Sequence, residues 1–269
     1  MQQLNETSPL GARTLILDLL AIGDEASYTT AQLVRAGALY GIGAGGIRSA
    51  ITRLNADGRI AQIERGRYAL GGEAEPLQRR LRDWRDVLDQ RLPWQGGWLM
   101  AVASPAERAD RNLWRRTLKA LDFNGFAELD PGVWVRPDNL GGGADGARDR
   151  LAQFRHAQGL LVVSAEGFDA GRQARLPGLW DADAIAAPLL DAAANLDRHR
   201  AALGSQPLAT AAATALLLGR TAVRAIVHDP LLPERICPSG PLERLIEKMD
   251  EYDRIGRALW RDWLAETAG

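Results

Sequence analysis

Apolar positions in the N-terminal part of the chain recur first with helical spacing. Between residues 12 and 22 the positions with this spacing are Leu15, Ile16, Leu19 and Leu20, and Gly23-Asp24 interrupts it. A second helix is predicted to begin at Thr29-Thr30, which can cap it, and to end before Gly41-Ile42-Gly43. Residues 44–56 form a third helical segment. The pattern therefore predicts three consecutive helices.

After Gly58 the pattern changes to short β-like segments. Residues 59–63 and 67–70 are such segments, and Glu64-Arg65-Gly66 can join them in a tight turn. Three helices followed by a hairpin are typical of a winged helix-turn-helix. We therefore predict such a domain, with a DNA-binding function, over residues 1–74.

A charged segment with a regular apolar stripe follows the hairpin. Residues 75–94 are predicted to form a linker helix, which either packs on a neighbouring domain or contributes a dimer contact. The side chains of its apolar stripe are Leu77, Leu81, Trp84, Leu88 and Leu92.

Residues 95–170 alternate between strand-like and helical patterns. Strands are predicted at 98–103, 133–136 and 160–164, with helices between them. This order predicts a small ferredoxin-like α+β domain. The glycine run at 141–143 lacks the Lys-Ser/Thr pair of a phosphate-binding loop and is interpreted as a linker.

The C-terminal part, residues 171–269, has helical patterns almost throughout. Helices are predicted at 182–203, 208–227 and 242–265, with prolines between the last two. We interpret this part as a helical effector and dimerisation domain. The whole chain is thus predicted to be an α+β multidomain protein.

The third predicted helix has one aliphatic face and one polar face. Ile47, Ala50, Ile51 and Leu54 recur at helical spacing and form the face that we expect to be buried. The candidate DNA contacts on the opposite face are Arg48, Ser49, Thr52, Arg53 and Asn55. Arginine can bond a guanine edge or a phosphate in bidentate geometry, and hydroxyl groups reach phosphates or base edges. This composition is typical of a recognition helix in a major groove.

The charge distribution adds that basic residues are concentrated near this helix. The formal net charge is -1 and the pI is about 6.3, which excludes a uniformly cationic molecule. Residues 43–67 nevertheless contain five arginines and two acids, whereas residues 1–92 contain 12 arginines and 11 acids. Arg65 and Arg67 flank Gly66 at the predicted hairpin tip, from which arginine can enter a minor groove or bind the backbone.

Several segments along the chain resemble the PaaX family of phenylacetate-catabolism regulators. The matching segments are 47–54 with Gly58, Tyr68 with Leu70, 131–137, 179–181 and 229–233. They occur in the family's order across nearly the whole chain. Two positions depart from the pattern, because Gly71 follows Leu70 and residues 237–241 lack an expected tryptophan.

The resemblance implies a homodimeric repressor that binds double-stranded operator DNA of an aromatic-acid degradation operon. It also implies release from the operator by an aryl-acyl-CoA such as phenylacetyl-CoA. A two-fold symmetric dimer would suit a palindromic operator, since each subunit reads one half-site.

A cationic stripe on the second C-terminal helix is a candidate effector site. Arg220, Arg224 and His228 are spaced by four residues and share one helical face. Arginine donors in paired geometry suit a CoA phosphate. The alternative, which we favour, is that these side chains pair with acids of a neighbouring helix, such as Asp181 or Asp191.

Two other functions compete with the regulator. The ferredoxin-like middle resembles small CRISPR-associated nucleases with a metal-binding aspartate at the end of the first strand, where this chain has Ser104-Pro105. No catalytic triad is evident, and the histidines share no metal-ligand spacing with each other or with Cys237. We therefore expect no enzyme activity, metal or cofactor. The second alternative is a winged-helix protein-interaction module.

The sequence also bears on location. Cys237 is the only cysteine, which fits a reducing compartment. No signal-peptide pattern is evident, and Arg220 closes the apolar run from 208 to 219 before it could span a bilayer. We expect a cytoplasmic protein without a membrane partner.

Overall fold

The residue contacts of the chain form two groups. The structure, a computed structural model, describes residues 10–22, 27–72, 81–154 and 159–266. The first unit contains Met1–Arg82, Leu196–Arg220 and Glu251–Gly269, and the second contains Asp83–Asn195 and Thr221–Asp250. Each unit is a group of packed segments drawn from separate parts of the chain. The predicted domain boundaries therefore stay a prediction.

The predicted α+β class is confirmed, with a central sheet and a helical C-terminal region. Within the described residues the α-helices are α1 (Ala12–Ile22), α2 (Thr30–Leu39), α3 (Ala44–Ala56), α4 (Arg111–Phe123), α5 (Gly143–Ala152), α6 (Ala170–Arg175), α7 (Ala182–Ala202), α8 (Leu208–His228) and α9 (Gly240–Glu266). The strands are β1 (Ser27–Thr29), β2 (Ile60–Glu64), β3 (Arg67–Leu70), β4 (Trp98–Val102), β5 (Ala127–Asp130), β6 (Val133–Pro137) and β7 (Leu161–Ala165).

The N-terminal helices of the first unit bury their aliphatic faces in one core. The fully buried members from α1, α2 and α3 are Leu15, Ile16, Leu33, Ile47 and Leu54. Gly37 of α2 lets α3 approach, because a Cβ there would lie 2.7 Å from Cγ1 of Ile47. The packing of α3 on its neighbours fixes which of its faces points outward.

Two tryptophans from the C-terminal helix complete this core. Trp260 and Trp263 of α9 pack edge to face with ring centroids 5.3 Å apart. The Arg35 guanidinium lies 5.6 Å from the Trp263 ring centroid and donates a 3.0 Å hydrogen bond to the Leu264 carbonyl. Residues distant in sequence therefore stabilise the N-terminal helices.

The hairpin of the first unit is tied to the start of α2. The Thr29 hydroxyl accepts from the Gln32 amide at 3.1 Å, and the Gln32 side chain accepts from the Thr29 amide at 2.7 Å. This capping box confirms the predicted cap. The Thr30 amide and hydroxyl both donate to the carbonyl of Gly66 in the turn, at 2.8 and 3.2 Å. These bonds hold the β2–β3 turn against the first turn of α2.

An unpredicted strand widens the hairpin into a three-stranded sheet. β1 pairs antiparallel with β3, so the strand order is β1-β3-β2. β1 has only three residues, too few to establish a period-2 pattern.

The second unit contains a four-stranded antiparallel sheet in the order β5-β6-β4-β7. With α4 and α5 between strands, the chain order is βαββαβ, the ferredoxin-like arrangement. The sequence pattern does not predict β5, whose four residues include two acids. It forms because the turn at Pro131-Gly132 folds it back along β6.

The structure describes only the second half of the predicted linker helix: residues 81–82 are helical, as predicted, and the chain then leaves the α-helix. Residues 73–80 lie outside the described residues, and two short 3-10 helices cover Trp84–Asp86 and Leu88–Gln90. Trp84 and Val87 are buried, whereas Leu92, at the end of the predicted stripe, is 53% exposed. The predicted apolar stripe is therefore not buried as one continuous face.

One helix among the described residues, Leu208–His228, is long and apolar enough by composition to cross a membrane. Half of its most apolar window is buried inside the protein. Helices in the cores of soluble proteins share these properties, so α8 is weak evidence for a membrane span.

The close approach between the ends of the hairpin gives a testable prediction. A Cβ on Gly71 would lie 2.1 Å from the Gly58 carbonyl oxygen, whereas a Cβ on Gly72 meets no atom within 4 Å. We expect Gly71→Ala to destabilise the first unit by about 1 to 3 kcal/mol and Gly72→Ala to change stability by less than about 0.5 kcal/mol. Thermal unfolding followed by circular dichroism measures both, and equal melting temperatures for the two variants would contradict this packing.

Candidate nucleic-acid interface

The α3 helix presents its polar face to solvent. Ile47, Ile51 and Leu54 are at most 4% exposed and lie in the core of the first unit. The five predicted DNA contacts on the other face are exposed, namely Arg48, Ser49, Thr52, Arg53 and Asn55. The structure therefore brings these five side chains together on one accessible surface, which we call the α3 surface.

The arginines of the α3 surface are not neutralised by their neighbours. Arg48 and Arg53 form no ion pair within the described residues. The nearby carboxylate of Asp57 lies 3.7 Å from the Arg13 guanidinium instead, in a pair whose two side chains are more than half exposed. Both α3 guanidinium groups therefore keep their donors available to an external anion.

The two hydroxyl groups of the α3 surface differ in whether they can donate a hydrogen bond to an external partner. The Thr52 hydroxyl donates to the Arg48 carbonyl at 3.1 Å, four residues earlier on the helix. It can then only accept a further hydrogen bond, so Thr52 suits a base donor rather than a phosphate. Ser49 is exposed and makes no such bond within the described residues.

The β2–β3 turn adds one exposed arginine to the interface. Arg65 is exposed and forms no ion pair within the part of the chain that the structure describes. Gly66 beside it has φ 73°, a left-handed conformation that glycine adopts without strain. Ile63, near the end of β2, is 53% exposed. This end of the hairpin therefore combines a cation with an apolar side chain.

Two other arginines of the hairpin are occupied by the protein itself. Arg67 is half-buried, donates to the Ser27 hydroxyl at 3.2 Å and lies 3.8 Å from the Glu64 carboxylate. Arg59 is only 8% exposed. The exposed positive charge near the hairpin is therefore smaller than the count of arginines in residues 43–67 indicates. Of the two arginines that flank Gly66, Arg65 is the more accessible.

The members of the predicted effector stripe have different surroundings. In the first unit, Arg220 lies 2.8 Å from the Asp18 carboxylate, and both side chains are at most 20% exposed. In the second unit, Arg224 and His228 are exposed, and the His228 Nδ1 donates to the Arg224 carbonyl at 2.7 Å. Arg220 thus has an acidic partner, on α1 rather than on the helix expected, and the stripe stays a prediction.

The surroundings of β4 bear on the nuclease alternative. β4 ends at Val102, and the chain continues through Ala103 and Ser104 without a carboxylate. Within the described residues, no three His, Cys, Asp or Glu side chains form a group that could hold a metal ion.

Burial raises the pKa of the Cys237 thiol to about 11, so the thiol is protonated at neutral pH and is a weak nucleophile.

The central sheet lies in the part of the chain that matches a known family. Residues 91–174 match the family model described as the PaaX protein central Cas2-like domain. This range contains all four strands of the sheet of the second unit. The match confirms the PaaX resemblance for this central part of the chain, which includes the matching segment 131–137.

One solved structure resembles nearly the whole chain. It is the uncharacterized protein Rv0674 from Mycobacterium tuberculosis, with a TM-score of 0.61 and 23% sequence identity. The alignment covers 94% of this chain and 98% of that chain. At this identity the likeness concerns the fold alone. No curated protein matches the chain significantly.

The ion pair of Arg220 gives a stability prediction for the first unit. A double-mutant cycle of Asp18→Asn and Arg220→Gln should give a coupling energy of about 1 to 2 kcal/mol, because both side chains are largely withdrawn from water. The exposed Arg13–Asp57 pair, at 3.7 Å, is the control and should give less than about 0.5 kcal/mol. Urea denaturation measures both, and a coupling near zero for Asp18 and Arg220 would leave Arg220 available for a ligand.

Proposed function

We propose that this protein is a DNA-binding transcriptional regulator. In this proposal α1 to α3 and the β2–β3 hairpin form a winged helix-turn-helix, and α3 is the recognition helix. The observation that carries the proposal is the orientation of α3, whose aliphatic face is buried while Arg48 and Arg53 are exposed without ion-pair partners in the described residues.

The interface suits duplex DNA because two kinds of contact can form at once. The α3 surface offers guanidinium and hydroxyl groups of the kind that read base edges in a major groove. Arg65 on the hairpin turn can bind the backbone or an adjacent minor groove, as the wing of such a domain does. The family match of residues 91–174 supports a regulator independently of this surface.

The resemblance to the PaaX family extends the proposal beyond DNA binding. We infer a cytoplasmic, non-enzymatic homodimer that represses an aromatic-acid degradation operon, with one subunit on each half of a palindromic operator. An aryl-acyl-CoA such as phenylacetyl-CoA is the proposed effector. Addition of phenylacetyl-CoA to the protein bound to its operator should then release the DNA, and CoA alone should not.

The basic experiment is a selection of duplexes from a random library by the full-length protein. A selected duplex should bind more tightly than a scrambled duplex, with an affinity that falls as salt rises. A protein-interaction module would enrich no sequence. A nuclease would cleave the duplex when magnesium is added, which gel electrophoresis detects.

The recognition-helix assignment gives a prediction for base contacts. Arg48→Ala or Arg53→Ala should weaken binding to the selected duplex by about 1 to 3 kcal/mol and relax its sequence preference, provided that the residue contacts a base. Fluorescence anisotropy with selected and scrambled duplexes measures both effects. Arg82→Ala is the matched control, since Arg82 is exposed in the first unit outside α3 and the hairpin. Unchanged affinity in both α3 variants would remove α3 from the interface.

The hairpin gives a second prediction, which concerns phosphate contacts. Arg65→Ala should weaken selected and scrambled duplexes alike and reduce the slope of log affinity against log salt by about 1, because one phosphate contact is lost. Arg67→Ala should change the slope less, since Arg67 already contacts Ser27 and Glu64. Anisotropy titrations over a range of salt concentrations measure the slopes, and a larger change for Arg67 would contradict the wing geometry.

A further inference from the structure

A cleft in the second unit lies apart from every residue assigned above to DNA. It is lined by residues 91–94, residues 233–235 and Asn139, and its volume is about 240 Å³. All of these residues belong to the second unit. The volume is slightly below that of ordinary ligand pockets, so the cleft suits a small molecule or one end of a larger molecule.

The charged side chains of the cleft make it cationic. Arg91 is 20% exposed as a side chain and lies 4.0 Å from the Glu234 carboxylate, which is 63% exposed. Arg235 is exposed and forms no ion pair within the described residues. Two guanidinium groups and one carboxylate line the cleft, so its lining side chains carry a net positive charge, and the Asp229 carboxylate, which does not line the cleft, lies within electrostatic range of Arg91. Guanidinium groups bind carboxylates and phosphates with paired hydrogen bonds.

A fixed aromatic ring lies beside these cations. The Trp94 indole donates a 2.6 Å hydrogen bond to the Gly97 carbonyl and packs edge to face on Trp98 at 5.1 Å between centroids. The Arg235 guanidinium lies 4.9 Å from the centroid of the Trp94 ring. The ring is thus held in place, with the Arg235 guanidinium over one of its faces.

The wall formed by residues 233–235 follows a strained turn. Leu231 has φ 52°, and it is the one non-glycine residue with positive φ within the described part of the chain. The Asp229 carboxylate accepts from the Leu231 amide at 2.8 Å, and the buried Asn139 side chain donates to the Leu231 carbonyl at 2.7 Å. Asn139 also accepts from the buried Arg136 guanidinium at 3.1 Å. Strained residues held by several contacts concentrate at ligand sites.

We propose that this cleft binds a small ligand in which a flat ring carries a carboxylate or a phosphate group. Arg91 and Arg235 bind the anionic group, and the ligand ring packs beside the indole of Trp94, which holds the Arg235 guanidinium over one face. Asn139 and Leu231 act as positioning residues, because they hold the segment that carries Arg235. Binding is a property of the protein without DNA, so it can be tested whether or not the regulator proposal holds.

Four probe molecules test separately whether the cleft recognises the anionic group and whether it recognises the flat ring. Benzoate joins a ring to a carboxylate and adenosine monophosphate joins a base to a phosphate, whereas inorganic phosphate lacks the ring and benzyl alcohol lacks the charge. Calorimetric titration of the full-length protein should show saturable binding of benzoate, of adenosine monophosphate or of both. Phosphate and benzyl alcohol should each bind at least about tenfold more weakly than the better of these two. Which of the two flat anions binds better identifies a carboxylate or a phosphate ligand.

Three substitutions in the cleft and one control outside it then locate the binding site. Arg91→Gln and Arg235→Gln should each weaken the preferred flat anion by about tenfold or more, because a charged hydrogen bond is lost. Arg244→Gln is the control, since Arg244 is exposed in the same unit and does not line the cleft. Glu234→Gln should strengthen binding severalfold, because it removes the opposing negative charge. A misfolded variant would not bind the ligand more tightly, so this gain distinguishes a direct role from a structural one.

The proposal fails if neither flat anion binds saturably. It also fails if both arginine variants bind as the unchanged protein does, which would place the ligand elsewhere, or if phosphate binds as tightly as the flat anions. Thermal unfolding of each variant checks that the second unit is intact. Arg235→Gln is the decisive variant, since its exposed side chain makes few contacts that folding requires.

Discussion

The burial of one aliphatic face of α3 is the constraint on which the proposed function depends. Ile47, Ile51 and Leu54 are withdrawn from water almost completely, and each such side chain stabilises the fold by about 1.5 to 3 kcal/mol. Rotating the helix would expose all three, so its orientation is strongly determined. The outward position of Arg48 and Arg53 is a consequence of this burial and needs no contact of their own.

The position of the hairpin turn depends on a second, polar set of contacts. The capping box of Thr29 and Gln32 satisfies backbone groups at the start of α2, and Thr30 bonds twice to the Gly66 carbonyl. The turn that carries Arg65 is thereby fixed relative to the helix before α3. The α3 surface and the hairpin turn can contact two parts of a duplex at once only when the turn is held in a fixed position relative to the helices.

Polar contacts have a comparable role in the second unit, where they connect distant segments. The buried Arg136 bonds to Asn139, and Asn139 bonds to the carbonyl of Leu231 in the positive-φ turn. This chain of bonds joins the end of β6 to the segment after α8. A buried arginine is costly unless its donors are satisfied, so these contacts stabilise the turn and the cationic cleft beside it together.

The sequence by itself determined the local features: the three N-terminal helices, the capping residue Thr29, and the opposed aliphatic and polar faces of α3. These follow from spacing along a single segment, which periodicity reports directly. The strands β1 and β5 are not predicted, because β1 has only three residues and two of the four residues of β5 are acids. Only the tertiary structure decided that Trp260 and Trp263 complete the N-terminal core, that Arg220 pairs with Asp18, and that Arg67 is held by Ser27 and Glu64. An apolar or charged pattern along the chain indicates which face of a helix or strand makes contacts. It does not indicate which residues that face contacts, because contacts between distant segments depend on tertiary packing.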